Sequence, residues 1–199
     1  MSISFSSELF EEARQWRLDL HRHPEMAFQE VRTSDFVARK LTEFGYSVRR
    51  GYGRTGVVGT LARGSASRSV ALRADMDALP ITEQTGLAHA STNPGVMHAC
   101  GHDGHVSMLL AAAKLAALRD DLNGVLHLIF QPAEEVEGGA QFMINDGLFR
   151  DMDINAVYGL HNWPALALGH AVALDGPMMA AFATFEIEIL GRGAHGAMP

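Results

Sequence analysis

The pattern of apolar and polar residues predicts helices alternating with short strands over the first 161 residues. Apolar positions recur at helical spacing over 9–20 and 37–44, and Pro24 and Gly45 are placed to end these two helices. The segment 105–118 is apolar on most sides, which indicates a buried helix. A short helix is predicted over 140–144, and buried apolar strands are predicted over 56–61, 69–74, 125–130 and 156–160.

This alternation predicts an α/β fold class with a mainly parallel mixed sheet covered by helices. Two further strands are predicted over 168–174 and 182–190. In the second, apolar and acidic residues alternate, as is typical of a half-exposed strand in an antiparallel sheet. We therefore expect residues 1–179 to belong to one domain and 180–199 to begin a smaller α+β domain. One such strand cannot bury its apolar face alone, so the remaining surface must come from further chain or from another chain.

The composition favours a globular protein and argues against membrane-spanning, secreted and nucleic-acid-binding classes. The chain is 47% hydrophobic and 20% charged, which allows a substantial core, and no apolar stretch approaches the ~20 residues that span a membrane. The first residues lack the pattern of a secretory signal, and the single cysteine, Cys100, excludes an internal disulfide. We expect a cytoplasmic protein. A net charge of −7 without a Lys/Arg cluster argues against nucleic-acid binding.

Histidines concentrate around the only cysteine. The chain has ten histidines, and three of them lie in the segment 98–105 with Cys100. Cys100 and His102 are two residues apart, so in an extended loop their side chains would point to the same side. Thiolate and imidazole are good ligands for zinc and other late first-row metals. A helix-capping loop with solvated histidines is the alternative, and the density of histidines favours the metal site.

Other polar residues follow the predicted buried strands. The adjacent carboxylates of Glu134 and Glu135 repel each other and resist desolvation, so a metal could bind one while the other polarises a water. Alone, this pair could equally be a solvated acidic turn. His161 follows the next strand, and an acidic segment, 75–77, ends an earlier one. Because ligands bind beyond the carboxyl ends of strands in α/β sheets, we expect these residues and Cys100 to converge at one edge.

Several segments carry a family resemblance. The strings RADMDALPI, MHACGHDGH, QPAEE followed by GGA, and YGLHNWP resemble the signature segments of the M20 peptidase superfamily, and LHRHPE and GRGAHGAMP also fit. They are most similar to the branch of N-acyl amino-acid amidohydrolases, with hippurate hydrolases, aminoacylases and auxin-conjugate hydrolases. The resemblance covers essentially the whole chain. It implies a zinc-peptidase-like catalytic domain over 1–179, a truncated lid or dimerisation domain over 180–199, and hydrolysis of N-acyl or N-aroyl amino acids.

The resemblance also implies a binuclear site and a dimeric full-length protein. The donor types admit two divalent ions of zinc, manganese, cobalt or nickel. The implied ligands are Cys100, which would bridge the ions, His102, Glu135 and His161. The implied catalytic residues are Glu134 as general base, Asp77 as the residue that orients a ligand, and His195 as a contact to the substrate carbonyl.

The sequence departs from the family pattern in two ways, and other functions compete. Residues 136–137 replace a glycine-rich continuation, and the family takes a further ligating histidine and further strands from beyond this length. We therefore expect the 199-residue chain to be inactive or weakened. In one alternative, Cys100 is a nucleophile activated by His98 or His102, which leaves the carboxylate pair unused. The others are a non-catalytic metal-binding fragment, and a dipeptidase or deacylase of the same superfamily.

Overall fold

The structure is a computed structural model that describes residues 6–136, 138–181 and 183–198. The chain divides into two compact units, Met1–Asn162 and Trp163–Pro199. All regular elements in the described part of the chain belong to the first unit. They are α1 (Ser7–Arg22), α2 (Val31–Glu43), β1 (Ser47–Tyr52), β2 (Gly56–Arg63), β3 (Ser69–Asp75), α3 (His102–Ala117), β4 (Gly124–Gln131), α4 (Gly139–Asn145), α5 (Leu148–Asp151) and β5 (Ala156–Gly159).

The five strands form one mixed sheet in the order β1-β2-β4-β3-β5. The β1–β2 and β2–β4 pairs are antiparallel, whereas β3 pairs in parallel with both β4 and β5. Asp75 at the end of β3 is in register with Gln131 at the end of β4. Near the end of β5, Gly159 is in register with Arg73. The chain therefore leaves β3, β4 and β5 at the same edge of the sheet.

Helices cover both faces of this sheet, which confirms the predicted α/β class. Because successive strand residues point to opposite faces, Leu128 and Phe130 of β4 enter the larger core while Ile129 enters the smaller one. The larger core lies against α1, α2 and α3, and Leu41 and Leu110 are fully buried there. The smaller core lies against α4 and α5.

Two details of the first unit differ from the sequence-based expectation. Strand β1 was not predicted, because all but one of its residues are exposed or partly exposed and its pattern is polar. Strand β5 was predicted to be buried, but three of its four residues are exposed. The reason is its place at the edge of the sheet, where it pairs with β3 on one side only.

The strands expected over 168–174 and 182–190 do not form in the described part of the second unit; Phe182 lies outside the described residues. Ile187 and Ile189 are exposed. A strand needs a hydrogen-bonded neighbour, and the described residues of this unit hold only one isolated bridge, between His195 and Met198. The domain boundary expected between residues 179 and 180 stays a prediction. No helix among the described residues is long and apolar enough to cross a membrane.

Candidate metal centre

Candidate metal ligands lie together at the edge of the sheet where β3, β4 and β5 end. They form three overlapping groups, and each group contains His102. Three groups have donor atoms within 4.8 Å of one another. They are Cys100, His102 and His161; His102, Glu134 and Glu135; and Asp75, His102 and His105. The residues predicted to converge therefore do lie together.

His102 is fully buried at the start of α3, and its hydrogen bond selects one ring nitrogen for the cluster. Nδ1 lies 2.9 Å from the backbone carbonyl oxygen of Asp77. Because a carbonyl can only accept, Nδ1 donates, and Nε2 is left for another partner. Nε2 has no hydrogen-bond partner and lies 3.7 Å from Glu135 Oε1 and 4.0 Å from Glu134 Oε2. This nitrogen is placed as a metal ligand would be.

Cys100 and His161 approach each other from different segments. The sulfur lies 3.3 Å from His161 Nε2, and His161 Nδ1 donates to the carbonyl oxygen of Asn162 at 2.7 Å. The loop between Cys100 and His102 is a turn rather than the extended segment assumed from the sequence, because Gly101 has φ 86°. A Cβ there would lie 2.7 Å from Asn162 Oδ1. The positive φ therefore favours glycine between the two ligands, and a larger residue would also have to displace the Asn162 side chain.

The two adjacent glutamates sit on a tight turn after β4. The backbone N–H of Glu135 donates to Asp77 Oδ2 at 3.0 Å. Gly139 closes the turn by donating its N–H to the carbonyl oxygen of Ala133. If a larger residue replaced Gly139, its Cβ would lie 1.8 Å from the carbonyl oxygen of Pro132. This contact explains why glycine follows the pair. Asp77 therefore supports His102 through its backbone and Glu135 through its carboxylate.

The electrostatics of the cluster favour a cation. Burial, followed by the negative charge of Glu135, raises the pKa of the Cys100 thiol to about 12. Burial also raises the pKa of Glu134, and the charges of Asp75 and Glu135 add to this effect against the opposing charge of His102. A divalent ion would offset these repulsions and favour the thiolate.

Unsatisfied atoms point to the same conclusion. Asp77 Oδ1, His102 Nε2 and Glu135 Oε1 are buried without a hydrogen-bond partner. Buried polar atoms of this kind are costly unless something pairs with them. Sulfur, imidazole and carboxylate donors together suit a late first-row divalent metal. The residues present therefore fit a metal centre.

Asp75 and His105 form a buried hydrogen-bonded pair that the sequence pattern does not predict. His105 Nδ1 lies 2.6 Å from Asp75 Oδ1, and Asn162 donates its backbone N–H to His105 Nε2 at 3.1 Å. Burial alone would raise the pKa of Asp75, but the bond from His105 and the charge of Arg73 lower it to about 2. Asp75 is thus an anion that holds His105, which in turn holds the backbone next to His161. The sequence signals for this link are the strand-end position of Asp75 and the place of His105 among the histidines near Cys100.

The sequence also gives possible roles to His195 and His98. His195 belongs to the second unit, where its Nδ1 accepts from the N–H of Ala197 at 3.2 Å, and its catalytic role stays a prediction. His98 is buried, its ring nitrogens have no hydrogen-bond partner, and burial lowers its pKa to about 4. The histidine hydrogen-bonded to Cys100 is His161, rather than His98 or His102. This pairing argues against the alternative in which His98 or His102 activates Cys100, and burial, which raises the pKa of the thiol, does not favour its thiolate.

Comparison with known proteins agrees with this geometry. Hippurate hydrolase of Campylobacter jejuni is 49% identical over 183 residues, which cover 92% of this chain and 48% of that protein. N-acyl-L-amino acid amidohydrolase of Geobacillus stearothermophilus is 48% identical, covering 92% of this chain and 50% of that protein. The crystal structure of the YXEP protein of Bacillus subtilis, described as a dinuclear metal binding peptidase, superposes with a TM-score of 0.78 at 38% identity. It covers 82% of this chain and 46% of that one.

The chain spans about half the length of the curated relatives it matches. The model of peptidase family M20/M25/M40 matches residues 71–198, more than half of the chain. That segment contains most of β3, the cysteine loop, the glutamate turn and His161. The resemblance read from the sequence is therefore confirmed, and the chain belongs to peptidase family M20/M25/M40.

Proposed function

We propose that this chain is the metal-binding part of an amidohydrolase that cleaves the amide bond of N-acyl or N-aroyl amino acids, with hippurate as a representative substrate. The observation that carries the proposal is the cluster of buried donors, in which His102 Nε2 and Glu135 Oε1 lie 3.7 Å apart without hydrogen-bond partners. The names of the two similar curated proteins support the substrate class.

The proposed ligands hold two divalent ions of zinc, manganese, cobalt or nickel. Cys100, His102, Glu135 and His161 are the residues of this chain that would hold such ions. When bound, such ions polarise a carbonyl oxygen and lower the pKa of water. Asp77 keeps two ligands in place, since it contacts the Nδ1 side of His102 and the backbone of Glu135.

Glu134 acts as the general base in this proposal. Its raised pKa and 40% side-chain exposure suit a carboxyl that exchanges protons at the mouth of the cluster. It removes a proton from the attacking water and returns it to the leaving amine nitrogen. The products are a carboxylic acid and a free amino acid. We further propose that His195 donates a hydrogen bond to the substrate carbonyl oxygen, and that the full-length protein is a dimer.

The activity of the 199 residues by themselves is part of the same proposal. The chain covers 48% of the hippurate hydrolase and 50% of the amidohydrolase it resembles. We therefore propose that alone it turns substrate over slowly or not at all, and that a longer chain carrying the same segment is fully active.

The test is a hydrolysis screen with metal analysis, run on the 199-residue chain and on a version extended beyond Pro199. N-acyl amino acids, including hippurate, are compared with unblocked dipeptides, before and after chelation and metal re-addition. Metal-dependent release of the amino acid from hippurate by the extended version supports the proposal. Preference for dipeptides, or turnover that survives complete removal of metal, would contradict it.

A further inference from the structure

Glu30, at the N-terminus of α2, is a fully buried carboxyl to which the proposed mechanism gives no role. Oε1 accepts from the backbone N–H of Ala133 at 2.8 Å, and Oε2 accepts from Thr55 Oγ1 at 2.6 Å. No lysine, arginine or histidine forms an ion pair with it in residues 6–136, 138–181 and 183–198. Burial raises its pKa, although its hydrogen bonds oppose the shift. A carboxyl buried without a cation is costly, so core packing alone does not explain it.

The partner of Glu30 is the residue immediately before the glutamate pair. Ala133 is fully buried and has φ 51°, in the left-handed region that residues other than glycine rarely adopt. Such a conformation persists only where the surroundings hold it. Two hydrogen bonds do so here: Ala133 donates to Glu30, and its carbonyl oxygen accepts from the N–H of Gly139 at 2.9 Å.

A second carboxylate holds the other side of the same turn. Asp77 Oδ2 accepts from the N–H of Glu135, two residues beyond Ala133. The backbone of Glu134 therefore lies between two fixed points, one provided by the start of α2 and the other by the segment after β3. This arrangement restricts the directions in which the Glu134 and Glu135 side chains can point.

We propose that Glu30 is a positioning residue, whose buried carboxyl holds Ala133 in its left-handed conformation and so directs Glu134 and Glu135 towards the metal-ligand cluster. The structural part of this inference stands on the contacts alone. Its consequence for metal binding and turnover rests on the proposed function.

Glu25, which lies before α2 in the chain, provides a matched control because its carboxylate also contacts the start of that helix. Its Oε1 accepts from the N–H of Arg32 at 3.0 Å and its Oε2 from that of Thr33 at 2.8 Å. Glu25→Ala thus removes two backbone contacts from the first turn of α2, but none from the glutamate turn. Glu30→Gln is the conservative variant, since its amide oxygen can still accept from Ala133. Glu30→Asp keeps the charge but shortens the side chain, so it cannot reach both Ala133 and Thr55.

The experiment measures amide hydrogen exchange of the 199-residue chain by mass spectrometry, together with zinc affinity by competition with a chelator. Glu30→Ala should accelerate exchange over residues 132–136 by about tenfold or more, as expected for local opening. It should weaken zinc binding by roughly tenfold to a hundredfold, the scale for losing a residue that supports a ligand. Glu25→Ala should accelerate exchange only at the start of α2, and Glu30→Gln should restore much of the protection.

Unchanged exchange over 132–136 and unchanged zinc affinity in Glu30→Ala would overturn the inference, as would equal losses in Glu25→Ala. If Glu30→Ala does not fold, Glu30→Asp decides: faster exchange in the turn at unchanged circular dichroism supports the inference, and unchanged exchange refutes it. Absence of amidohydrolase activity would remove the proposed function but would leave these two measurements to decide the role of Glu30.

Discussion

His102 Nδ1 donates a hydrogen bond of 2.9 Å to the backbone carbonyl of Asp77, and this bond directs Nε2 into the cluster of candidate ligands. Burial alone would lower the pKa of His102, but the interaction with the Asp77 carboxylate and the charge of Asp75 raise it above its usual value. Without a cation, Nε2 therefore attracts a proton. Metal and proton compete for the same atom, so metal binding by this histidine should release protons.

Replacing His102 should remove the stabilisation that metal gives to the fold. Zinc at about 100 times its dissociation constant should stabilise the wild-type chain by about 2.7 kcal/mol. His102→Ala should show little of this gain, because it removes the donor common to all three ligand groups. Thermal unfolding with and without zinc measures the effect, and His127→Ala, in which a histidine on β4 is removed, serves as the control. An equal zinc-induced shift in His102→Ala and wild type would contradict the ligand assignment.

Changing each of the two glutamates to glutamine should have different effects on turnover and on metal binding. In the extended protein, which we propose to be active, Glu134→Gln should lower kcat by about 10²-fold or more, the scale for a general base, and keep its metal. Glu135→Gln should lose metal instead, because Glu135 Oε1 is the buried atom that faces His102. Turnover and metal content are measured on the same samples. Near-normal turnover in Glu134→Gln would show that the base has been assigned to the wrong residue.

Gly101→Ala should damage the cysteine turn more than an equivalent change elsewhere. Both Gly101 and Gly95 have positive φ, 86° and 77°, so alanine should cost about 1–2 kcal/mol at either site. Only at Gly101 does the new Cβ meet another group, Asn162 Oδ1 at 2.7 Å, whereas nothing lies within 4 Å at Gly95. Gly101→Ala should therefore lose more stability in urea unfolding and more zinc affinity than Gly95→Ala. Equal effects would mean that the close contact with Asn162 relaxes freely.

The buried bond between His21 and Asp103 should make stability depend on pH. Asp103 Oδ2 lies 2.9 Å from His21 Nδ1, and this hydrogen bond raises the pKa of His21 against the opposing effect of burial. A raised pKa means that the contribution is fully present below the unfolded value of about 6.5 and is lost as pH rises through the folded value. The wild-type chain should thus be more stable than His21→Gln, and this difference in the free energy of unfolding should be larger at about pH 6 than at about pH 9.

This comparison is made by urea unfolding in chelator, so that metal binding does not contribute. Asp103→Asn, which removes the carboxylate that accepts this hydrogen bond, should reduce the same pH dependence. A stability difference between wild type and His21→Gln that is constant with pH would show that the pair is a neutral contact.

Local patterning predicts helices α1 to α4 and strands β2 to β5 of the first unit, because helical and strand periodicity are properties of neighbouring residues. Three parallel strands must end at one edge, so the gathering of Cys100, His161 and the glutamate pair could also be anticipated. The close contacts at Gly101 and Gly139, by contrast, are visible only in the structure.

Tertiary structure decided the remaining features, since each depends on groups far apart in the chain. Glu30 and Ala133 are 103 residues apart, and Asp75 and His105 are 30 residues apart. No local sequence pattern therefore predicts either hydrogen bond. The exposure of β5 follows from its edge position rather than from its apolar sequence. The alternating residues near Ile187 form no strand, because a β-ladder requires a partner and alternation specifies only which face would be buried.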